Sequence, residues 1–298
     1  MEFAIPKRLK HRHLIEVVEI FQFKSRLRIM MAQVAETDMK EFMERVEPLE
    51  DGAERDAMRM KMQMCPGCLI QAIDYLPEMR IKHRDSKLAN IMVMGGKVLV
   101  TDFGGSKDLI DEETTASLTG AALAGTPIYW APEIIPEVDS APSRRGRAVD
   151  IYALGCIFLE MATILMAPPG SRSQFVQYRE RSGMRAYRGC QEETLQWIWC
   201  LWGHWNSDYF DWRQGKIPTS DGLKHDTTVS NFAFLLTDPN PKARITASPL
   251  GNWSLFQILR PGATSLVSTK NPARSVILGQ IAMIPISPWI RGSKTRTI

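Results

Sequence analysis

HRDSKLAN, residues 83–90, places an acid at Asp85, a cation at Lys87 and an amide at Asn90. A second acid, Asp102, follows within TDFGGSKD (101–108). Phosphoryl transfer from a nucleotide needs a carboxylate to orient and deprotonate the attacking hydroxyl, and ligands for the metal that bridges the phosphates. A hard cation such as Mg²⁺ takes carboxylate and amide-carbonyl oxygens. On that chemistry Asp85 is the candidate base, Lys87 the candidate stabiliser of the transferring group, and Asn90 and Asp102 the candidate metal ligands. Asn90 opens the apolar run IMVM (91–94), and Asp102 closes VLVTD (98–102). The intervening Gly95-Gly96 signals a hairpin. Such a turn brings both ends together, as a shared metal requires.

Outward from this pair, the periodicity gives the organisation. LIEVVEIFQF (14–23) and LRIMMAQV (27–34) read as two strands joined by a short turn. The acid- and Met-rich stretch 39–64 predicts surface helices. CLIQAIDYL (68–76) predicts a buried helix leading to the motif. IYALGCIFLEMATIL, after Asp150, is apolar nearly all round and predicts a helix buried at the centre of a domain. Residues 194–205 and 229–236 suit further helices. A few strands first and many helices after them predict an α+β fold.

Bulk properties bound the class. A chain of 298 residues can bury a sizeable core. Five scattered cysteines fit a reducing compartment, the cytoplasm or the nucleus. The opening MEFAIPKRLKHRHL lacks the apolar core of a secretory leader, and no uncharged apolar run reaches membrane-spanning length, so no membrane partner is expected. The net charge is +4, yet 258–298 holds six cations and no acids, leaving 31 basic against 33 acidic residues before it. Those cations lie among Gly, Ser, Thr and Pro, which predicts a solvated, poorly ordered tail and no nucleic-acid partner.

HRDSKLAN resembles the catalytic loop of eukaryotic protein kinases, H-R-D-x-x-x-x-N, and Asp102-Phe103-Gly104 resembles their metal-binding motif. GTPIYWAPE (125–133) is similar to the end of their activation segment, DIYALG (150–155) to the start of the large lobe's central helix, and PKARITA (241–247) to the segment near their C-terminal end. The resemblance covers roughly residues 8–255. It implies a kinase-like fold: a truncated small lobe and hinge over 1–34, a mainly helical large lobe over 35–257, and a basic tail over 258–298. It implies ATP and Mg²⁺ as cofactors, a protein substrate, and an ion pair between Glu133 and Arg244. Lys87 and Thr126 resemble the serine/threonine-specific branch, in which that threonine bonds the catalytic aspartate and lysine. Met31 matches the gatekeeper region, Gln33 and Val34 the hinge against adenine, and Met92 is a further candidate cofactor-binding residue. Arg84 matches members controlled by phosphorylation, with Thr114, Thr115, Ser117 and Thr119 as candidate acceptors.

One part of the pattern is missing. The family's Gly-rich loop and V-A-I-K lysine have no counterpart here, and Glu2 stands about where the lysine's glutamate partner would lie. Losing a positioned charge on the phosphates costs several kcal/mol. Two readings follow: a serine/threonine kinase impaired by the missing nucleotide clamp, or a catalytically dead pseudokinase serving as an interaction module. Other motifs have plainer explanations. CPGC (65–68) has no second pair and reads as ordinary thiols. His11 and His13 could suggest metal but read as structural. The Trp-rich run 195–205 reads as lobe packing, and SRRGR (143–147) as a solvated loop.

Overall fold

The computed structural model describes residues 4–95, 97–108, 125–134, 148–201, 228–242 and 244. Glu2, Gly96, the candidate phosphoacceptors 114–119, SRRGR, the end of the Trp-rich run and the basic tail lie outside them.

A short helix, α1 (Ala4–Arg8), leads to a hairpin of β1 (Val17–Phe23) and β2 (Arg26–Met31). Its two central turn residues, Lys24 and Ser25, both have positive φ, the backbone that matches the twist of two-residue hairpins. Both strands are shorter than the expected 14–23 and 27–34. Leu14 bridges Val100 instead, while the N–H of Ile15 donates to the Val100 carbonyl at 2.9 Å. Beyond Met31 the Ala32 N–H still donates to the Glu16 carbonyl at 3.0 Å, and the pairing then closes on a side chain, with Gln33 Oε1 accepting from the Glu16 N–H at 3.1 Å.

β3 (Thr37–Asp38) runs into α2 (Met39–Val46). Asp38 caps that helix by accepting from the Glu41 N–H at 2.9 Å, satisfying one of the four free donors of a helix start. α3 (Ala53–Gln63) and α4 (Cys65–Glu78) follow. The helices expected over 39–64 are present but not simply superficial: Met39, Phe42, Met43, Val46 and Met62 are buried. Their apolar residues recur at helical spacing and turn one face inward. CPGC forms the first turn of α4, and burial pushes the Cys65 thiol up to about 12, a setting for a protonated thiol rather than a ligand. All five cysteines are free.

Two small antiparallel ladders then frame the motif. β5 (Ile91–Met94) pairs with β6 (Lys97–Val100), with β3 along the other edge of β5. β4 (Ile81–Lys82) pairs with β7 (Lys107–Asp108). The segments 83–90 and 101–106 are thus held at both ends, by the β5–β6 ladder on one side and the β4–β7 ladder on the other.

The core centres on α5 (Ala148–Met166), in which every residue from Asp150 onward is buried. Its length and hydropathy would let it cross a membrane, but 94% of that apolar window is enclosed by protein. α6 (Ser171–Glu180), α7 (Gln191–Leu201) and α8 (Thr228–Leu236) surround it. Trp197 of the Trp-rich run is wholly buried, stacks on Phe175 and donates to Thr163 Oγ1 at 2.9 Å. α5 and α8 cross tightly at Gly155, where a Cβ would lie 2.7 Å from Leu236 Cβ and 2.9 Å from Thr237 Cγ2. Gly155→Ala is therefore expected to lower stability by about 1–3 kcal/mol through overpacking. Chemical denaturation checks this, and a stabilised variant would contradict it.

Candidate active site

Local geometry collects the polar residues of HRDSKLAN around one carboxylate. Asp85 Oδ2 accepts from Lys87 Nζ at 2.7 Å and from Asn90 Nδ2 at 3.2 Å, while Oδ1 accepts from Thr126 Oγ1 at 2.8 Å. Burial by itself would raise the Asp85 carboxyl. The hydrogen bonds from Lys87, Thr126 and Asn90 and the Lys87 charge outweigh it and hold the acid below its ordinary value. Thr126 bonds Asp85 as the resemblance implies. Gly125 makes this approach possible: its φ is +98°, and a Cβ there would collide with the Arg84 carbonyl oxygen.

Asn90 is buried, and its Nδ2 also donates to the Asp85 carbonyl at 2.9 Å. Both bonds use the amide nitrogen, so the carbonyl Oδ1 is the acceptor left for another partner. Asn90 and Asp102 sit at the two open ends of the β5–β6 hairpin, tied by the Thr101 N–H donating to the Asn90 carbonyl at 2.9 Å. Asp102 has left-handed backbone, φ 63°, and its Oδ1 accepts weakly from the Gly104 N–H at 3.4 Å. Its carboxylate is exposed. An amide oxygen and an exposed carboxylate are hard oxygen donors, a set that suits Mg²⁺.

The residues assigned to adenine are not brought together in the same way. Met31 is 48% and Val34 88% exposed, and the Gln33 side chain is occupied with Glu16. Met92 lies on β5 opposite Leu99 and is half-buried.

Sequence reasoning missed the residue that shapes the loop. Asp150, buried at the start of α5, accepts the His83 N–H at 2.9 Å and the Arg84 N–H at 2.8 Å. It thereby supports Arg84 at φ 69°, a left-handed conformation unfavourable for a residue bearing a Cβ. The sequence signals were an acid heading a largely apolar helix and the DIYALG stretch that it opens. His83 Nδ1 accepts from the Asp85 N–H at 3.3 Å, so the ring hydrogen on Nε2 faces the Thr101 carbonyl at 3.0 Å. The ring also packs 4.8 Å from Phe103. These contacts connect segment 83–90 to segment 101–106.

Two further networks anchor the surrounding turns. Arg244 donates to Glu133 through both terminal nitrogens, at 2.7 and 3.2 Å. Glu160, buried within α5, accepts from Tyr129 at 2.9 Å, Tyr187 at 3.2 Å and Arg172 at 2.9 Å. Tyr129 thus ties the turn carrying Thr126 to the central helix.

A family model described as the protein kinase domain matches residues 1–256. The chain is similar to mitogen-activated protein kinase kinase kinase 15 of Mus musculus, 31% identical over 301 residues, covering 99% of this chain and 19% of that protein. It is 32% identical over 166 residues to mitogen-activated protein kinase kinase kinase 5 of Homo sapiens, covering 54% of this chain and 11% of that protein. Serine/threonine-protein kinase TIO of Arabidopsis thaliana is 30% identical over 161 residues, with 54% and 11% covered. The chain therefore spans 19% or less of the length of these relatives. With the two motif loops clamped between paired ladders, the Glu133–Arg244 pair in place and the family model matching most of its length, the chain belongs to the protein kinase domain family.

Proposed function

We propose that this chain carries protein serine/threonine kinase activity, transferring the γ-phosphoryl group of ATP to a Ser or Thr hydroxyl of a protein substrate. One observation carries the reading: Asp85 is held by three donors, from Lys87, Thr126 and Asn90. Asp85 would accept the proton of the incoming hydroxyl as its oxygen bonds the γ-phosphorus and the bond to the bridging oxygen breaks, releasing ADP. Lys87, 2.7 Å away, balances the Asp85 charge and would stabilise the transferring group. Thr126 fixes the carboxylate orientation, and the Asp150 bonds hold the loop that presents it. Asn90 Oδ1 and Asp102 would hold Mg²⁺, which when bound neutralises charge on the nucleotide phosphates. Met31, Gln33, Val34 and Met92 would border the adenine. The names of the relatives, mitogen-activated protein kinase kinase kinases and a serine/threonine-protein kinase, support the hydroxyl acceptor.

A second reading, a non-catalytic interaction module, is favoured by the exposure of Met31 and Val34, which leaves the adenine side open among the described residues. Calorimetry with ATP, with and without Mg²⁺, separates the two. The catalytic reading expects Mg²⁺-dependent binding that weakens about tenfold or more in Asp102→Ala, a loss of about 1.4 kcal/mol. Absence of binding at millimolar ATP would leave the interaction module as the better account.

A further inference from the structure

The β1–β2 hairpin carries most of the large apolar side chains that the described residues leave in solvent. Val18, Phe21, Phe23, Ile29, Met30 and Met31 are each at least 40% exposed. Opposite residues of an antiparallel pair share a face, as do alternate residues along a strand. Phe21 pairs with Arg28 and Phe23 with Arg26, so two rings and two guanidiniums share one face. Lys24 adds a third exposed cation at the turn. We propose that this face binds single-stranded nucleic acid, with bases stacked on Phe21 and Phe23 and phosphates held by Lys24, Arg26 and Arg28. None of these five residues is assigned to phosphoryl transfer or to adenine, so the inference stands apart from the kinase reading.

The cations are free to take an anion. Lys24, Arg26 and Arg28 are exposed, and no described residue between the Lys10–Glu16 and Lys40–Glu44 pairs makes an ion pair. The one acid in residues 17–31 is Glu19, opposite Met30 at the end away from the turn. Three cations less one acid leave a surplus of two positive charges. Unpaired guanidiniums keep their forks open for bidentate phosphate contacts. Lys24 Nζ stands 5.4 Å from the Phe23 ring centroid. An exposed contact of this kind is weak, so the ammonium can turn to a phosphate while a base covers the ring.

The rings decide which anion fits. Phe21 and Phe23 are two residues apart on β1, a separation of about 6–7 Å that neighbouring bases of an extended single strand can bridge. Base–aromatic stacking needs only a flat, accessible ring and tolerates any base. A duplex keeps its bases stacked on one another and offers the rings nothing. An acidic peptide or an anionic membrane would use the cations and the apolar area but not the planarity of the rings. A nucleic-acid surface needs a basic face interleaved with aromatics on a folded element. The tail cations, set among Gly, Ser, Thr and Pro, lack that arrangement, whereas the hairpin has it.

The test titrates the full chain into labelled oligo(dT) and oligo(U) of about twelve nucleotides, beside a DNA duplex of the same length, and reads fluorescence anisotropy. Single strands of either sugar are expected to bind at least about fivefold more tightly than the duplex. Raising salt from about 50 to 200 mM is expected to weaken them about tenfold to twentyfold, the response to three neutralised phosphates. Phe21→Leu with Phe23→Leu keeps the apolar area and removes the stacking faces, and is expected to cost about fivefold or more. Arg26→Gln with Arg28→Gln is expected to weaken binding and flatten the salt response. All four side chains are exposed, so both double variants are expected to fold as the parent does. No measurable single-strand binding, equal or tighter binding of the duplex, or binding that either double variant leaves unchanged would each overturn the inference. Equally tight binding of a polyglutamate peptide, or of vesicles containing phosphatidylserine, would assign the face to those partners and overturn it as well.

Discussion

Replacing Arg244 by alanine is expected to cost about 3–5 kcal/mol of folding stability, the range for leaving one partner of a buried ion pair uncompensated. The side chain is 1% exposed and that of Glu133 10%. Besides the two bonds to Glu133, Arg244 donates to the Ala148 carbonyl at 2.6 Å and the Asp238 carbonyl at 2.8 Å, and it lies 4.9 Å from the Tyr152 ring. One guanidinium therefore joins the turn bearing Glu133, the start of α5 and the segment after α8. Typical domains have only about 5–15 kcal/mol in total, so the loss should appear as a large drop in the urea midpoint. Arg244→Lys should recover little, since an ammonium cannot reproduce the fork. Replacing both partners with apolar residues should recover more than either single change, because no charge is left stranded. A loss below about 1 kcal/mol in Arg244→Ala would show that the pair is not a stabilising anchor.

Asp85→Asn is expected to reduce phosphotransfer by about 10²- to 10⁴-fold, the usual contribution of a positioned general base. The substitution keeps the shape of the side chain and removes its capacity to take a proton. It leaves Lys87 and Thr126 facing an amide, which reorganises the three bonds but removes no packed atoms. The variant should therefore remain folded, and a rate within about threefold of the parent would exclude Asp85 as the base. Acid stability supplies an independent readout. The folded carboxyl titrates below its ordinary value, so its contribution is fully present above the unfolded pKa and is lost as pH falls through the folded one. Asp85→Asn should remove that part of the acid-induced loss and leave the neutral-pH baseline otherwise similar in shape.

The site was more legible in the sequence than the parts around it. Asp85, Lys87 and Asn90 lie within six residues, so the loop itself brings them together. The Asn90–Asp102 relationship was equally local, because a hairpin over 91–100 must return its ends to each other. The α5 and α8 helices were legible from continuous or periodic apolar runs, and the packing role of Trp197 from its size. The end of β2 was misread because LRIMMAQV is apolar apart from Arg28 and Gln33. Whether such a run continues as a strand depends on what its neighbour offers, and here a single further backbone bond, from the Ala32 N–H to the Glu16 carbonyl, is made before the Gln33 side chain takes the Glu16 N–H. Leu14 was misassigned for the same reason, its partner Val100 lying far along the chain.

The amino-acid sequence by itself determined the family, the longer strands and helices, and the Lys87 and Asn90 groups beside Asp85, since each is written in motifs or short-range spacing. Tertiary structure alone decided which distant groups support them. Asp150 bonds a loop 67 residues earlier, and Glu160 collects Tyr129, Arg172 and Tyr187. It also decided that Glu160 is occupied while Arg179 is left with an unmade bond. No periodicity encodes such pairings. They arise when the burial of α5 removes water from those charged groups, after which each must find its partner within the protein.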